Sequence, residues 1–159
     1  VAQIGQAFGM HVLVNSRHPT KVSQLGYQWL TLTELLATAD VVSLHCPLTG
    51  ETEQMINANT LKLMPAKALL VNTARGGLID ESALAAALNQ GQIYAALDVL
   101  SSEPPQADNP LLSCANVTIT PHIAWATFEA RGRLLQIAVD NLAAFIQGNA
   151  VNQVNKKES

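Results

Sequence analysis

The chain of 159 residues has the length of one ordinary domain, and its 48% hydrophobic content is enough to build a substantial core. A formal net charge of −3 removes the basic footprint of a nucleic-acid binder, no lysine or arginine cluster suits an anionic membrane surface, and every apolar run is broken before it could span a bilayer. Cys46 and Cys114 have neither the paired spacing of a zinc site nor the density of a secreted disulfide scaffold, so small-molecule chemistry in a reducing cytoplasm, without a metal, is expected.

The chain starts in a helical pattern at Val1 and reaches a helix C-terminal signal at Gly9. Val12-Leu13-Val14 then reads as a buried strand ending at Asn15-Ser16-Arg17, followed by a polar loop. A short helix begins near Leu32, with Thr31 or Thr33 as its N-cap, and Val41 to His45 forms the next strand, closed by Cys46-Pro47. Helical residues from Asn59 to Met64 stop at Pro65, and Ala68 to Val71 is another continuous apolar strand. Asp80 caps a helix over Glu81 to Gln90, terminated by Gly91. Ile93 to Leu97 and Val117 to Ile119 supply two more strands, and Thr127 to Gln147 predicts a final amphipathic helix, apolar at Leu134, Leu135, Ile137, Ala138, Leu142 and Ile146. Strands that are apolar throughout and alternate with helices predict an α/β fold with a doubly wound parallel sheet, in which ligands sit beyond the carboxyl ends of the strands.

Three polar clusters follow such strands: Asn72 to Gly77, Asp98 to Pro105 and Thr120 to Trp125. They deliver one arginine, one carboxylate and one histidine to the same predicted edge. The Arg75 guanidinium can match a carboxylate through two parallel hydrogen bonds, beside a Gly76-Gly77 pair that permits close backbone approach. His122 can donate a proton to a ketone oxygen or accept one from a hydroxyl, and a carboxylate such as Glu103 on the far ring nitrogen would favour the imidazolium. Taken singly, Arg75 also suits a surface ion pair, Glu103-Pro104 a turn and Asp98 a solvated strand end. Their common placement after strands favours a catalytic trio acting on a small 2-oxo or 2-hydroxy acid, with hydride from a cofactor.

At these motifs the chain resembles the D-isomer-specific 2-hydroxyacid dehydrogenases, closest to the glycerate dehydrogenase and hydroxypyruvate reductase members. The likeness rests on Leu44-His45-Cys46-Pro47-Leu48-Thr49, Leu70 to Gly77, Ala96-Leu97-Asp98-Val99 with Glu103-Pro104, and Thr120-Pro121-His122. It implies a Rossmann domain over residues 1–125, with 126–159 as a helix and tail packed on a substrate domain. It also implies that Arg75 binds the substrate carboxylate, that His122 is the proton donor with Glu103 as its partner, and that NAD(P) is contacted by Cys46, Thr73, Ala74, Arg75, Asp98 and the segment from His122 to Trp125. A homodimer of the full-length parent is a further implication.

Ser16-Arg17 stands where NAD-preferring relatives carry an acidic residue at the end of the second strand; these two residues suit a 2′-phosphate, so NADP stands beside NAD as the expected cofactor. Trp125 stands where many relatives have a small residue, and its ring is expected either to shape the substrate pocket or to pack on the final helix. The family's GxGxxG phosphate loop and first strand are expected immediately before Val1, so the sequence reads as N-terminally truncated and is expected alone neither to fold stably nor to turn over substrate. The resemblance implies an enzyme interconverting a 2-oxo acid and a D-2-hydroxy acid, hydroxypyruvate/glycerate or glyoxylate/glycolate foremost. The alternative is a corepressor-like binding protein that uses the same fold to sense NAD(H).

Overall fold

The computed structural model describes residues 1–154; the last five residues of the predicted second domain lie outside the described residues. Two compact units divide the chain, Val1–Pro121 and a second that begins at His122.

The first unit is built on parallel strands. Helix α1 (Ala2–Ala7) ends at Phe8, and Gly9 leaves it with a φ of +77° that only glycine adopts without strain. Strands β1 (Leu13–Val14) and β2 (Gln28–Trp29) pair in parallel across α2 (Pro19–Gln24). The strand expected over Val12 to Val14 stands as β1, and the expected polar loop after it holds α2 and β2. Pro19 opens α2, where its fixed φ suits a first helical turn, but strands of two residues show no readable periodicity. Helix α3 (Leu32–Thr38) resolves the choice of cap in favour of Thr31, whose hydroxyl accepts the Glu34 N–H while the Glu34 carboxylate accepts the Thr31 N–H.

Strands β3 (Val41–Leu44), β4 (Leu69–Asn72), β5 (Tyr94–Leu97) and β6 (Val117–Ile119) form a parallel sheet in that order. Between β3 and β4 lies the single-turn α4 (Ala58–Leu61), shorter than the stretch to Met64 expected from the pattern. Between β4 and β5 lies α5 (Glu81–Asn89), capped by Asp80, which buries Leu84, Ala85, Ala87 and Leu88 on one helical face. Its leucines meet Leu70, Leu78, Ile93 and Leu111 in a single hydrophobic cluster with Leu36 and Ile56.

The second unit carries α6 (Phe128–Ile146), capped by Thr127 as its hydroxyl accepts the Ala130 N–H. The helix forms where the pattern places it, yet none of its residues is buried: Leu134, Leu135, Ile137, Leu142 and Ile146 are all exposed. No helix among the described residues is long and apolar enough to cross a membrane.

Candidate active site

The sheet register decides where the polar clusters emerge. Leu44 is level with Asn72, Asn72 with Leu97 and Leu97 with Ile119, so all four strands of the main sheet end in one row. The segments starting at His45, Thr73, Asp98 and Thr120 therefore leave the sheet at the same carboxyl edge. The first two line a cavity of about 620 Å³ formed by His45, Cys46, Pro47, Leu48, Thr73, Ala74 and Arg75. Its walls combine apolar Pro47, Leu48 and Ala74 with hydroxyl and guanidinium groups, and the Cys46 thiol donates toward the Met55 sulfur at 3.6 Å.

The arginine loop is shaped by Asn72, a fully buried side chain at the end of β4. Its Oδ1 accepts the Ala74 N–H at 3.0 Å, and its Nδ2 donates to the Arg75 carbonyl at 2.9 Å. A polar side chain in the core thereby meets its hydrogen-bonding needs and turns the chain at once. The exposed Arg75 guanidinium donates through Nη1 to the Ala74 carbonyl at 2.7 Å.

Gly76 follows and is buried against the start of the next loop. A Cβ there would lie 2.0 Å from the Leu100 carbonyl carbon and 2.3 Å from the Ser101 nitrogen, so the arginine loop and the glutamate loop touch backbone to backbone. Glu103 Oε1 accepts the Leu100 N–H at 3.0 Å. Asp98 is buried at 5% exposure and accepts the Thr120 hydroxyl at 2.5 Å, which joins the ends of β5 and β6; it is no solvated strand end.

Away from this row, Ser16 and Arg17 follow β1. The Ser16 carbonyl accepts the Trp29 indole N–H at 2.9 Å and its hydroxyl accepts the His18 N–H. Arg17 lies 3.9 Å from the Glu51 carboxylate, with both side chains largely in solvent, a pairing of little energetic weight. His122 opens the second unit with a φ of +55°, the left-handed region that side chains other than glycine enter rarely. The Trp125 indole N–H donates to the His122 carbonyl at 2.9 Å and the Ala126 N–H to that of Ile123, which closes the turn carrying the imidazole. Among the described residues, no group of three or more histidine, cysteine, aspartate or glutamate side chains could hold a metal ion.

Arg75 and Glu103 thus stand on loops in direct contact within the first unit, together with Cys46, Thr73, Ala74 and Asp98. Asn72, Glu81 and Thr120 are given no role by the sequence, although all three organise these loops, Glu81 by accepting the Ser101 N–H. For Asn72 a signal exists: an asparagine closing an apolar strand one residue before a threonine and a small residue is an Asx-turn pattern.

Residues 1–124 match the family described as D-isomer specific 2-hydroxyacid dehydrogenase, NAD binding domain. The chain belongs to that family. It is 46% identical to a hydroxypyruvate reductase from Blautia hydrogenotrophica over 156 residues, covering 97% of this chain and 48% of that protein. A glyoxylate reductase from Aeropyrum pernix is 44% identical over 161 residues, covering 99% of the chain and 48% of the relative. Among solved structures, a D-lactate dehydrogenase from Aquifex aeolicus complexed with NAD and lactic acid superposes with a TM-score of 0.85 at 36% identity, covering 94% of this chain and 50% of that one. An acyclic imino acid reductase in complex with NADPH and D-Arg gives a TM-score of 0.87 at 36% identity, covering 98% and 49%. The chain spans about half the length of the curated relatives it matches.

Proposed function

We propose that the protein is an NAD(P)-dependent oxidoreductase interconverting a 2-oxo acid and a D-2-hydroxy acid, with hydroxypyruvate/glycerate and glyoxylate/glycolate as the preferred pairs. The observation that carries this reading is the level ending of β3, β4, β5 and β6, with the Arg75 loop packed on the Glu103 loop at that edge in a chain of this family. The names of the relatives support the substrate class: hydroxypyruvate reductase, glyoxylate reductase and glycerate dehydrogenase.

In this reading Arg75 grips the carboxylate of the acid through its planar fork. His122 hands a proton to the carbonyl oxygen during reduction and removes it from the hydroxyl during oxidation, a contribution of ~10²- to 10⁴-fold in rate. Glu103 is the partner of His122 and fixes the orientation of the imidazole from the far ring nitrogen. Cys46, Thr73, Ala74, Asp98 and Trp125 hold the nicotinamide cofactor, which supplies the hydride when bound. The cavity at the ends of β3 and β4 fits such a group, since it sets apolar Pro47, Leu48 and Ala74 against polar Thr73 and Arg75. Ser16 and Arg17 take the adenosine ribose end, and Arg17 accepts NADP once a 2′-phosphate draws it from Glu51. Residues 1–125 form the nucleotide-binding domain, and 126–159 pack on a substrate domain in a homodimeric parent. The two cysteines, both free thiols, accord with a reducing cytoplasm.

The test is an assay of the complete protein on hydroxypyruvate, glyoxylate and pyruvate, each with NADH and NADPH. Reduction of the first two ahead of pyruvate is expected. Cofactor binding without turnover of any 2-oxo acid would replace the enzyme by an NAD(H)-sensing binding module.

A further inference from the structure

One carboxylate holds both ends of the loop that carries Glu103, and it belongs to neither of the strands that the loop joins. Glu81 is the first residue of α5, directly after the Asp80 cap. Its Oε1 accepts the Ser101 backbone N–H at 2.6 Å, and its Oε2 accepts a side-chain amide N–H of Asn109 at 2.7 Å. Asn109 in turn accepts the Leu111 N–H at 3.0 Å, and Leu111 is fully buried. Between these anchors every residue from Ser101 to Asp108 is exposed. Hydrogen bonds rather than core packing therefore set the path of the segment.

The anchor itself is rigid. Helix α5 buries Leu84, Ala85, Ala87 and Leu88 in the main core, so the position of the Glu81 backbone is that of the core. A carboxylate whose two oxygens take an N–H from each end of one loop closes it as the neck of a compact surface loop, and charge-assisted bonds of this kind are roughly twice as strong as neutral ones. Within the closed loop Glu103 bonds the Leu100 N–H, next to the point where Leu100 rests on Gly76. The carboxylate assigned as partner of the proton donor is thus located by a second carboxylate twenty-odd residues earlier in the chain.

We propose that Glu81 is a positioning residue of the reaction, acting through Glu103 by fixing the loop from Ser101 to Asn109; the inference rests on the role given to Glu103 above. The test is steady-state kinetics of the complete enzyme with E81Q, E103Q, the E81Q/E103Q pair and the E81Q/N109D pair. E81Q is expected to lower kcat about tenfold, because displacements of about 1 Å around a reacting centre cost up to ~10²-fold, while KM for the acid stays within about twofold since Arg75 is untouched. In the E103Q background E81Q is expected to cost nothing further, the mark of a residue that acts through another. E81Q/N109D exchanges amide and carboxylate across the same contact and is expected to recover most of kcat. An equal loss with and without E103Q, or no loss at all, overturns the inference and leaves Glu81 a structural anchor. If E103Q alone retains full kcat, the reading of Glu103 falls and this inference falls with it. If E81Q does not fold, the swapped pair decides: kcat near that of the parent supports the role, and a persistent loss in a folded pair overturns it.

Discussion

Replacing Gly76 with alanine tests whether the arginine and glutamate loops are one mechanical unit. The added Cβ would sit 2.0 Å from the Leu100 carbonyl carbon, 2.1 Å from its oxygen and 2.3 Å from the Ser101 nitrogen. Non-bonded carbons settle at about 3.5–4.0 Å, so the two loops must part by more than about 1 Å. All three atoms are backbone, and no rotamer change relieves the overlap. Gly76 is absent from the glycines with positive φ, so alanine pays no conformational penalty there and the cost is the contact itself. Overpacking of this kind costs about 1–3 kcal/mol, which lowers Tm by several degrees in a domain of this size. The loops that separate carry Arg75 and Glu103, and a displacement of that size is expected to reduce kcat/KM by up to ~10²-fold. Gly50 is the control, as its Cβ would meet nothing within 4 Å and its φ is not positive. Thermal unfolding and kinetics of the complete enzyme read both effects. A G76A protein indistinguishable from G50A in melting and in kcat/KM would refute the claim that the loops share this contact.

N72A strips a donor and an acceptor from the core and orphans the Ala74 N–H, while the Arg75 carbonyl keeps only the Leu78 N–H; about 1–3 kcal/mol for the unsatisfied group should appear in urea unfolding, together with a raised KM for the acid. R75K keeps the charge but loses the planar fork, so KM for the acid should rise far more than kcat falls, whereas H122A should lower kcat by ~10²-fold or more with little change in KM; the reverse pattern in steady-state kinetics would exchange the two roles. The Glu34 carboxyl is held below its ordinary range, chiefly by the Thr31 hydroxyl and then by the Thr31 N–H. A depressed folded-state value means that the capping box stabilises α3 fully above the unfolded value and loses that contribution as pH falls through the folded one. Amide protection factors at the start of α3, exchange rates taken relative to the intrinsic rate at each pH, should therefore fall in acid in the parent chain and show no such step in E34Q.

Long periodic elements and the succession of strands along the chain were legible from the residues, because a short apolar run between turn signals is the pattern of a buried strand. The β4 and β5 strands, the Asp80 cap and α6 all stand where their patterns place them. Strand β1 was legible from Val12-Leu13-Val14, but α2, β2 and their union with β1 were not, since pairing of Leu13 with Gln28 and Val14 with Trp29 is a tertiary event with no local period behind it. The site divides along the same line. Arg75, Glu103 and His122 announce themselves by their own chemistry, and Asn72 leaves an Asx-turn pattern, whereas the other groups that aim the loops are visible only by their partners: Thr120 through Asp98, and Glu81 through amides twenty and more residues away. A glutamate at the first position of a helix is favoured there by the helix dipole alone. The sequence signal for Glu81 is accordingly saturated by a local cause that conceals the distant one, and only the loop folded back onto both of its oxygens separates the two.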